Sequence, residues 1–292
     1  MDSISMKDQN RVWPAPAKIN VFLHIVGKRA DGYHNLQTVF QFVDYCDELR
    51  FDLRNDGVIS RNYDYGFDQD SDLCLRAARL LKQKADSLNK AKNHGVTVHL
   101  TKRLPMGGGL GGGSSDAATV LVALNYLWEV GLSRQELAEI GLILGADVPV
   151  FVMGSASWAE GVGEQLTPIV LPEPWLLVLT PNIEVSTAKI FSHKQLTRGP
   201  EMKRIRALEK GIDFGFGENQ LEPIVRSEYP EVDAIFRCLS QFGKPRMSGS
   251  GGSVFLPLVD HDQGVELLAS KPKDAIGFVA KGLNRHPLID VI

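Results

Sequence analysis

Six of the seven residues from Gly107 to Gly113 are glycine, and this run limits what the surrounding chain can do. Each glycine costs about 0.5 to 1 kcal/mol of backbone entropy relative to alanine, so the run costs roughly 3 to 6 kcal/mol, close to the net stability of a weakly stable domain. It permits positive φ angles and close backbone approach, so that successive amide N–H groups can point at phosphate oxygens. The run therefore predicts a phosphate site, with a flexible loop or a tight packing turn as the alternative.

Two familiar nucleotide-binding loops do not fit this run. The Walker pattern requires a Lys-Ser or Lys-Thr pair after the glycines, and its absence excludes a P-loop NTPase. Gly107, Gly109 and Gly112 satisfy G-x-G-x-x-G, but a dinucleotide-binding fold then needs a second parallel strand after the helix. The residues that follow predict a second helix instead. A dehydrogenase is therefore disfavoured.

The segments beside the run predict mixed α and β structure. A strand at 96–100 precedes the run, and a buried helix at 117–128, entered from Ser114, Ser115 and Asp116, follows it. Ser133 and Glu136 form a capping-box pattern, which predicts a further helix that runs to about residue 144. Another helix is predicted at 73–88, ahead of the strand.

The opening segment, residues 15–26, predicts a β-strand rich in branched side chains. A turn at Asp31 and Gly32 and an alternating strand at 36–43 follow, which indicates antiparallel pairing. A strict period of two divides the first strand into two faces. One face carries Ala17, Ile19, Val21, Leu23 and Ile25, and the other carries Lys18, Asn20, Phe22 and His24.

After about residue 160 the pattern of elements restarts, so we predict two domains, one at 1–160 and one at 161–292. The second half predicts a strand at 175–180, a helix at 232–242, a strand at 253–259, a helix at 264–270 and a strand at 277–282. The fold class expected from these elements is α+β.

Composition and charge exclude several classes of protein. The chain has 32 Lys plus Arg against 35 Asp plus Glu, a formal net charge of -3, so no basic field exists to bind nucleic acid or an anionic membrane. The three cysteines are far apart and form no C-x-x-C pair, which argues against a disulfide framework or a thiolate zinc site. No apolar run approaches the ~20 residues of a membrane span, and no secretory signal is visible, so we expect a cytoplasmic protein.

Two charged side chains stand out because their surroundings are apolar. Lys18 lies inside the apolar strand, where an unpaired ammonium is unfavourable, so it needs an anionic partner or a path to solvent. A lysine that extends to water from an edge strand is the alternative. Asp147 is a lone carboxylate in GADVPVFV, beside Pro149, and is either a catalytic base or a helix-terminal or turn aspartate.

Two further segments leave alternatives open. Tyr33 and His34 follow the predicted turn, where an aromatic pair either packs in the core or stacks on a base. The sequence MSGSGG, which includes residues 248–252, either supports a phosphate site or forms a hairpin loop.

Three segments occur in the order of the signatures of one kinase family. PAPAKINVFLHIVGKRADGYH, LPMGGGLGGGSSDAA and MSGSGGSVF, with GADVPVF and FVAKG, resemble the galactokinase, homoserine kinase, mevalonate kinase and phosphomevalonate kinase (GHMP) superfamily from Trp13 to about Leu288. The resemblance implies an ATP-dependent small-molecule kinase, with an ATP-binding domain at 1–160 and a substrate-binding domain at 161–292. It also implies a two-domain fold, with an N-terminal half like ribosomal protein S5 domain 2, a ferredoxin-like C-terminal half, and the active site between them.

Within that superfamily the chain resembles the branch that phosphorylates the 2-hydroxyl of cytidine diphosphate methylerythritol in the non-mevalonate isoprenoid pathway. By this resemblance the phosphoryl group is transferred directly and in line. Asp147 acts as the base, and Lys18 stabilises the charge that develops. The implied substrate-binding residues are Asn20, Tyr33, His34, Thr187 and Phe191, the last with Tyr33 and His34 around the cytosine. The implied ATP-binding residues are Pro105, Met106, Gly107, Gly108, Gly109, Leu110, Gly111, Gly112, Gly113, Ser114 and Ser115.

Magnesium is expected to accompany ATP, with Ser114, Ser115 and Asp116 as candidate ligands. Where relatives commonly carry Asp-Asn-Leu, this chain has Ser71, Asp72 and Leu73, which departs from the usual nucleotide contact. The alternatives are a kinase of the same superfamily that acts on homoserine, mevalonate or a sugar, and a nucleotide-binding regulator without catalysis. We expect a small-molecule substrate as partner, and a monomer or weak homodimer.

Overall fold

The computed structural model describes residues 11–30, 32–90, 93–196 and 212–291, so Asp31 of the predicted turn lies outside the described residues. The described strands are β1 (Trp13–Lys28), β2 (His34–Arg54), β3 (Ile59–Arg61), β4 (Gly95–Thr101), β5 (Ser157–Glu160), β6 (Gln165–Pro168), β7 (Trp175–Pro181), β8 (Arg246–Met247), β9 (Val254–Leu258) and β10 (Ala275–Leu283). The described helices are α1 (Leu73–Ser87), α2 (Gly112–Leu127), α3 (Arg134–Leu144), α4 (Val148–Met153), α5 (Thr187–Phe191), α6 (Glu222–Glu228), α7 (Pro230–Leu239) and α8 (His261–Ala269).

The strands form one sheet with β2 near its centre. Its order is β3-β4-β2-β10-β7-β9-β8, and β1 and β5 also pair with β2, while β6 pairs with β5. All of these pairings are antiparallel except that of β3 with β4. The link between the two halves is β10, which pairs with β7 along its length and with β2 at Gly282 and Leu283.

The predicted antiparallel opening is confirmed, but the strict alternation along β1 is wrong. The register places Asn20 opposite Phe40 and Leu23 opposite Thr38, three residues on β1 against two on β2, which is a β-bulge. After the bulge Leu23 lines the same cleft as Lys18 and Asn20, although a period of two assigns it to the opposite face. An extra residue in a strand shifts every later side chain to the other face.

The helix after the glycine run begins earlier than predicted. It starts at Gly112, with Gly111 as its N-cap residue, so its first turn consists of glycines and serines. The prediction that the chain enters this helix from Ser114, Ser115 and Asp116 is therefore wrong by one turn. Glycine has low helix propensity, so the pattern of apolar residues reported only the later part of the helix.

The other predicted helices and strands are found near the expected positions. The capping box is present in α3, where the Ser133 side chain accepts from the Glu136 N–H and the Glu136 side chain accepts from the Ser133 N–H. One hydrophobic core packs α1 to α4 against the strands of the N-terminal half, and a second packs α6 and α7 against β7 and β9. The predicted boundary at residue 160 falls in the turn between β5 and β6 and stays a prediction.

Apolar contacts also join the two halves. A third cluster contains Ala17 and Ile19 of β1, Leu110 of the glycine run, and Val178 and Phe255 of the second half. All five side chains are buried. The glycine run is thus fixed between two packed halves, which positions one edge of the cleft described next.

Candidate active site

A cleft of about 1100 Å³ lies along the glycine run, and its walls come from both halves of the chain. It brings together every residue predicted from the sequence for catalysis and substrate binding. These are Lys18, Asn20, Tyr33, His34, Asp147, Thr187 and Phe191. The predicted ATP-binding residues 105–114 line the same cleft, whereas the Ser115 side chain is fully buried and does not.

The carbonyl groups of the glycine run are held by the protein. Gly108 O accepts from the Ser253 N–H at 2.9 Å, Gly109 O accepts from the Ser248 hydroxyl at 2.9 Å, and Leu110 O accepts from the Lys18 N–H at 2.9 Å. The strand that contains Lys18 and the segment 248–253 lie far from the glycine run in the sequence, yet they bind three consecutive carbonyl groups of that run. The loop is therefore anchored to the rest of the protein through its carbonyl groups.

The N-terminus of α2 has the features of an anion site. Gly111 adopts the left-handed conformation with φ 73°, no side chain caps the helix, and its first turn contains no acidic residue. The first amide N–H groups of a helix lack partners within the helix and carry partial positive charge. Because Gly112, Gly113 and Ser114 line the cleft, this end of α2 fits a phosphate group.

Lys18 and Asp147 meet beside the glycine run. Lys18 Nζ lies 3.2 Å from Asp147 Oδ2 and donates to Asn20 Oδ1 at 2.6 Å. Lys18 is 3 % exposed, whereas the Asp147 side chain is 34 % exposed. Asp147 is the N-cap residue of α4, but its carboxylate makes no capping hydrogen bond and so faces the cleft with capacity to accept a proton.

The aromatic residues predicted to hold a base lie together at one end of the cleft. The rings of His34 and Phe191 are 5.4 Å apart and inclined by 33°, and Tyr33 is exposed beside them. Thr187 Oγ1 lies 2.7 Å from Ser250 Oγ, which connects α5 to the MSGSGG segment. The arrangement offers aromatic faces to a planar ligand, next to polar groups of the second half.

A buried charged cluster beside the glycine run was not predicted from the sequence. Lys102 donates to carboxylate oxygens of Asp47 and, at 2.8 Å, of Asp116, and all three side chains are largely buried. Asp47 also accepts from the N–H groups of Arg103 and Leu104, at 2.5 and 2.8 Å. The spacing of these residues along the chain follows no familiar motif, so only the tertiary structure reveals the cluster.

The cluster bears on the predicted magnesium ligands. Burial, with the neighbouring Asp47 carboxylate, raises the pKa of Asp116 to about 7, while Lys102 opposes that rise. Asp116 Oδ2 accepts from Lys102, but the residue also lines the cleft, whereas the Ser115 hydroxyl is buried away from it. Of the three predicted magnesium ligands, Ser114 and Asp116 thus line the cleft. In the part of the chain that the structure describes, no group of three His, Cys, Asp or Glu side chains could hold a metal ion.

Asp72, at the position where relatives commonly carry asparagine, has a structural role here. Its Oδ1 caps α1 by accepting from the N–H groups of Cys74 and Leu75. Its Oδ2 accepts from Arg61 at 2.9 Å and from the Tyr63 hydroxyl at 2.7 Å. Both oxygens are therefore engaged, even though the residue lies on the wall of the cleft.

No helix among the described residues is long and apolar enough to cross a membrane. Comparison with family models matches residues 72–155 to the GHMP kinases N terminal domain and residues 195–276 to the GHMP kinases C terminal domain. Both match ranges contribute residues to the cleft.

Curated relatives match nearly the whole chain. A protein of Nitrosococcus oceani named 4-diphosphocytidyl-2-C-methyl-D-erythritol kinase is 52 % identical over 282 residues, covering 96 % of this chain and 98 % of the relative. A protein of Thiobacillus denitrificans with the same name is 50 % identical over 284 residues, covering 97 % of this chain and 99 % of the relative.

Solved structures show the same fold. A crystal structure of 4-(cytidine 5'-diphospho)-2C-methyl-D-erythritol kinase matches with a TM-score of 0.77 and 31 % identity, over 93 % of this chain and 99 % of the other. The mevalonate kinase of Methanococcus jannaschii matches with a TM-score of 0.69 and 17 % identity, over 94 % and 98 %, and supports the fold alone. The expected two-domain α+β kinase fold is confirmed by these comparisons.

Proposed function

This chain belongs to the GHMP kinase family and is a small-molecule kinase, and we propose that it phosphorylates the 2-hydroxyl of 4-diphosphocytidyl-2-C-methyl-D-erythritol with ATP. This reaction would place it in the non-mevalonate isoprenoid precursor pathway. The observation that carries the proposal is the Lys18 and Asp147 pair, which lies in one cleft with the uncapped N-terminus of α2 and the aromatic residues.

The reaction follows from what each group can do. The substrate hydroxyl oxygen attacks the γ-phosphorus of ATP, the bond between that phosphorus and the bridging oxygen breaks, and ADP leaves. Asp147 accepts the hydroxyl proton, since its carboxylate faces the cleft and is not used to cap α4. The reacting oxygen therefore loses its proton to Asp147 and gains the phosphoryl group from ATP, without a covalent enzyme intermediate.

Lys18 stabilises the charge that develops during transfer. An ammonium has three N–H donors, and Lys18 donates one of them to Asn20 Oδ1 while its Nζ pairs with Asp147 Oδ2 at 3.2 Å. A further N–H donor would bind the substrate oxygen or the γ-phosphate. In a largely buried position such a fixed positive charge acts more strongly than it does in water.

The two ends of the cleft suit the two substrates. The amides at the start of α2 and the anchored glycine run fit the phosphates of ATP, which the GHMP family uses. Magnesium enters with ATP as part of that substrate and would neutralise phosphate charge, with Ser114 as the facing side chain. Tyr33, His34 and Phe191 would hold the cytosine, and Thr187 would contact the same substrate.

The proposal is tested by measuring ADP release from the purified protein with magnesium-ATP and one acceptor at a time. The acceptors are 4-diphosphocytidyl-2-C-methyl-D-erythritol, mevalonate and homoserine. We expect turnover with the cytidine compound and none above background with the other two. Turnover with only mevalonate or homoserine would refute the substrate assignment, and ATP binding without turnover on any acceptor would favour a non-catalytic regulator.

A further inference from the structure

Thr38 of β2 is a buried residue beside the catalytic strand, and its side chain makes two hydrogen bonds. Its hydroxyl donates to Phe22 O at 2.5 Å and accepts from Asn20 Nδ2 at 2.8 Å. Thr38 is 1 % exposed, so water does not compete for these bonds. No role was predicted for this residue from the sequence.

The chemistry of a hydroxyl fixes the direction of both bonds. A carbonyl oxygen can only accept, so the single proton of the Thr38 hydroxyl goes to Phe22 O. Toward Asn20 the hydroxyl can then only accept, which requires the NH₂ end of the Asn20 amide to face Thr38. The carbonyl end, Oδ1, must therefore face Lys18.

The opposite orientation of the amide is unfavourable. It would direct the NH₂ group of Asn20 at the Lys18 ammonium, which has donors only, and would leave two buried donors facing each other. The observed orientation instead gives Lys18 Nζ an acceptor at 2.6 Å. Thr38 thus determines, through Asn20, where the Lys18 ammonium lies relative to Asp147, 3.2 Å away.

The β-bulge in β1 makes this arrangement possible. Between Asn20 and Leu23 the strand contains one more residue than its partner, and the bulge includes Phe22. An added residue turns the local backbone, and here it leaves Phe22 O free of the regular ladder to accept from a side chain. A regular strand at this point would pair that carbonyl with β2 instead.

We propose that Thr38 is a positioning residue that holds the Asn20 amide with Oδ1 toward Lys18 and so keeps Lys18 in place for phosphoryl transfer. The inference rests on the proposed function for its kinetic effect, but the orientation of Asn20 is independent of the acceptor. Removal of the hydroxyl frees the amide to rotate and removes a constraint on the ammonium. The loss falls on the chemical step, because the Thr38 hydroxyl contacts Asn20 and the Phe22 carbonyl rather than residues of the glycine run.

Two measurements on the full chain test the proposal. The first compares wild type with Thr38→Val, which replaces the hydroxyl by a methyl group, and with Thr38→Ser, which retains it. We expect kcat to fall roughly 10- to 100-fold in Thr38→Val with the KM for ATP changed by less than about twofold, as for a misplaced catalytic group. Thr38→Ser is expected to keep most of the kcat of wild type, because it retains the hydroxyl.

Thr119→Val is the matched control. Thr119 is also buried and its hydroxyl donates to Pro14 O, at 3.3 Å, but it lies in α2 away from Lys18 and Asn20. This variant is expected to keep the kcat of wild type. An equal fall of kcat in both valine variants, or no fall in Thr38→Val, would overturn the proposal.

The second measurement determines the orientation of the Asn20 side-chain amide by NMR. It uses ligand-free protein with labelled Asn amides and Thr methyl groups. We expect nuclear Overhauser contacts from the Asn20 NH₂ protons to Thr38 in wild type. Contacts to the Lys18 side chain instead would overturn the proposal, whether or not the protein turns over the cytidine compound. If wild type shows the Thr38 contacts but does not phosphorylate that compound, the proposed function fails while the orientation of Asn20 stands.

Discussion

Two clusters of a lysine with carboxylates lie beside the glycine run, and they differ in how deeply their carboxylates are buried. In the first cluster Lys102 contacts Asp47 and Asp116, whose side chains are 0 % and 4 % exposed, and Asp47 also accepts two backbone N–H groups. In the second cluster Lys18 contacts Asp147, which is 34 % exposed and whose carboxylate makes no capping hydrogen bond. Protein groups surround the carboxylates of the first cluster, whereas the carboxylate of the second is open to the cleft.

The difference shows that residue type alone does not tell whether a charged cluster stabilises the fold or takes part in catalysis. Both clusters combine an ammonium with carboxylates beside the same loop, yet of the two only the second has a carboxylate with substantial exposure to the cleft. In the first cluster the charges hold β2 and α2 against the start of the glycine run. Substitutions there should lower stability, and substitutions in the second should lower catalysis.

The largest effect on stability is expected from Lys102→Met. It leaves the carboxylates of Asp47 and Asp116 buried together without their counter-ion, and breaking a buried pair in this way typically costs about 3 to 5 kcal/mol. Lys189→Met is the control, since Lys189 pairs with Glu228 at the surface and exposed pairs contribute about 0 to 1 kcal/mol. Urea denaturation of both variants measures the difference, and similar losses would contradict a structural role for the first cluster.

A smaller loss is expected from Gly109→Ala. Gly109 has φ 74°, and an added Cβ would lie 2.5 Å from Ser248 O, a backbone atom. The left-handed conformation and the overpacking together predict a loss of about 2 to 4 kcal/mol in the free energy of unfolding, with a raised KM for ATP.

Gly107→Ala is the matched control within the same loop. Its φ is 69°, but an added Cβ would approach only the Glu184 side chain, at 3.3 Å. It should therefore lose about 1 to 2 kcal/mol, the contribution of the backbone conformation alone. Equal losses of unfolding free energy in the two variants would show that the close approach of Gly109 to Ser248 does not limit the residue at position 109.

A smaller effect, on the KM for the cytidine substrate, is expected from Phe191→Ala. Loss of an aromatic face that stacks on a base is expected to weaken binding of the cytidine substrate by about 1 to 2 kcal/mol. The KM for that substrate should then rise roughly 5- to 30-fold, with the KM for ATP unchanged. Steady-state kinetics with each substrate varied in turn measures this split. Phe242→Ala, at an exposed position after α7, controls for general effects. A matching rise in the KM for ATP would argue against a base pocket at Phe191.

The smallest effect is a change in the pH dependence of stability in Asp116→Asn. Burial raises the pKa of Asp116 to about 7 from an ordinary 3.8, so the folded state binds this proton more tightly than the unfolded state. The stability contributed by this group is therefore greatest below the unfolded pKa and is lost as pH rises through the folded pKa. Asparagine cannot titrate.

The free energy of unfolding of wild type relative to Asp116→Asn should thus fall by roughly 1 kcal/mol or less between about pH 6.5 and about pH 8. His286, whose pKa burial lowers to about 3, makes the opposite contribution, which cancels in the difference between the two proteins. Urea titrations of both proteins across this range give the values. A difference that stays constant or rises with pH would show that Asp116 is ionised throughout.

Much of the fold could be predicted from periodicity, because burial imposes the period of each element on its sequence. The α2 helix and strands β4, β7 and β10 appear where apolar residues recur at the expected spacing. The bulge at Asn20 to Leu23 could not be predicted in this way, since it arises from pairing with β2 rather than from the residues of β1. The start of α2 was missed because its first two residues are glycines, which have low helix propensity.

For the site, the sequence pointed to residues with chemical capacity but not to the partners that orient them. Lys18 and Asp147 were conspicuous as charges within apolar segments, and they do lie together. Thr38 and Asp47 carry no such signal, because a threonine in a strand is ordinary and Asp47 stands in the charged segment DYCDELR, where an aspartate is not conspicuous. Their contacts come from residues distant in the chain and exist only in the folded protein.

The contrast between the two clusters is tested most directly by the same exchange, aspartate to asparagine, made once in each. In Asp147→Asn we expect kcat for the cytidine substrate to fall about 10²- to 10⁴-fold, because a general base contributes this much, with ATP affinity and the free energy of unfolding nearly unchanged. In Asp47→Asn we expect the free energy of unfolding to fall while the folded fraction keeps most of its kcat. An Asp147→Asn protein with the kcat of wild type would contradict the account.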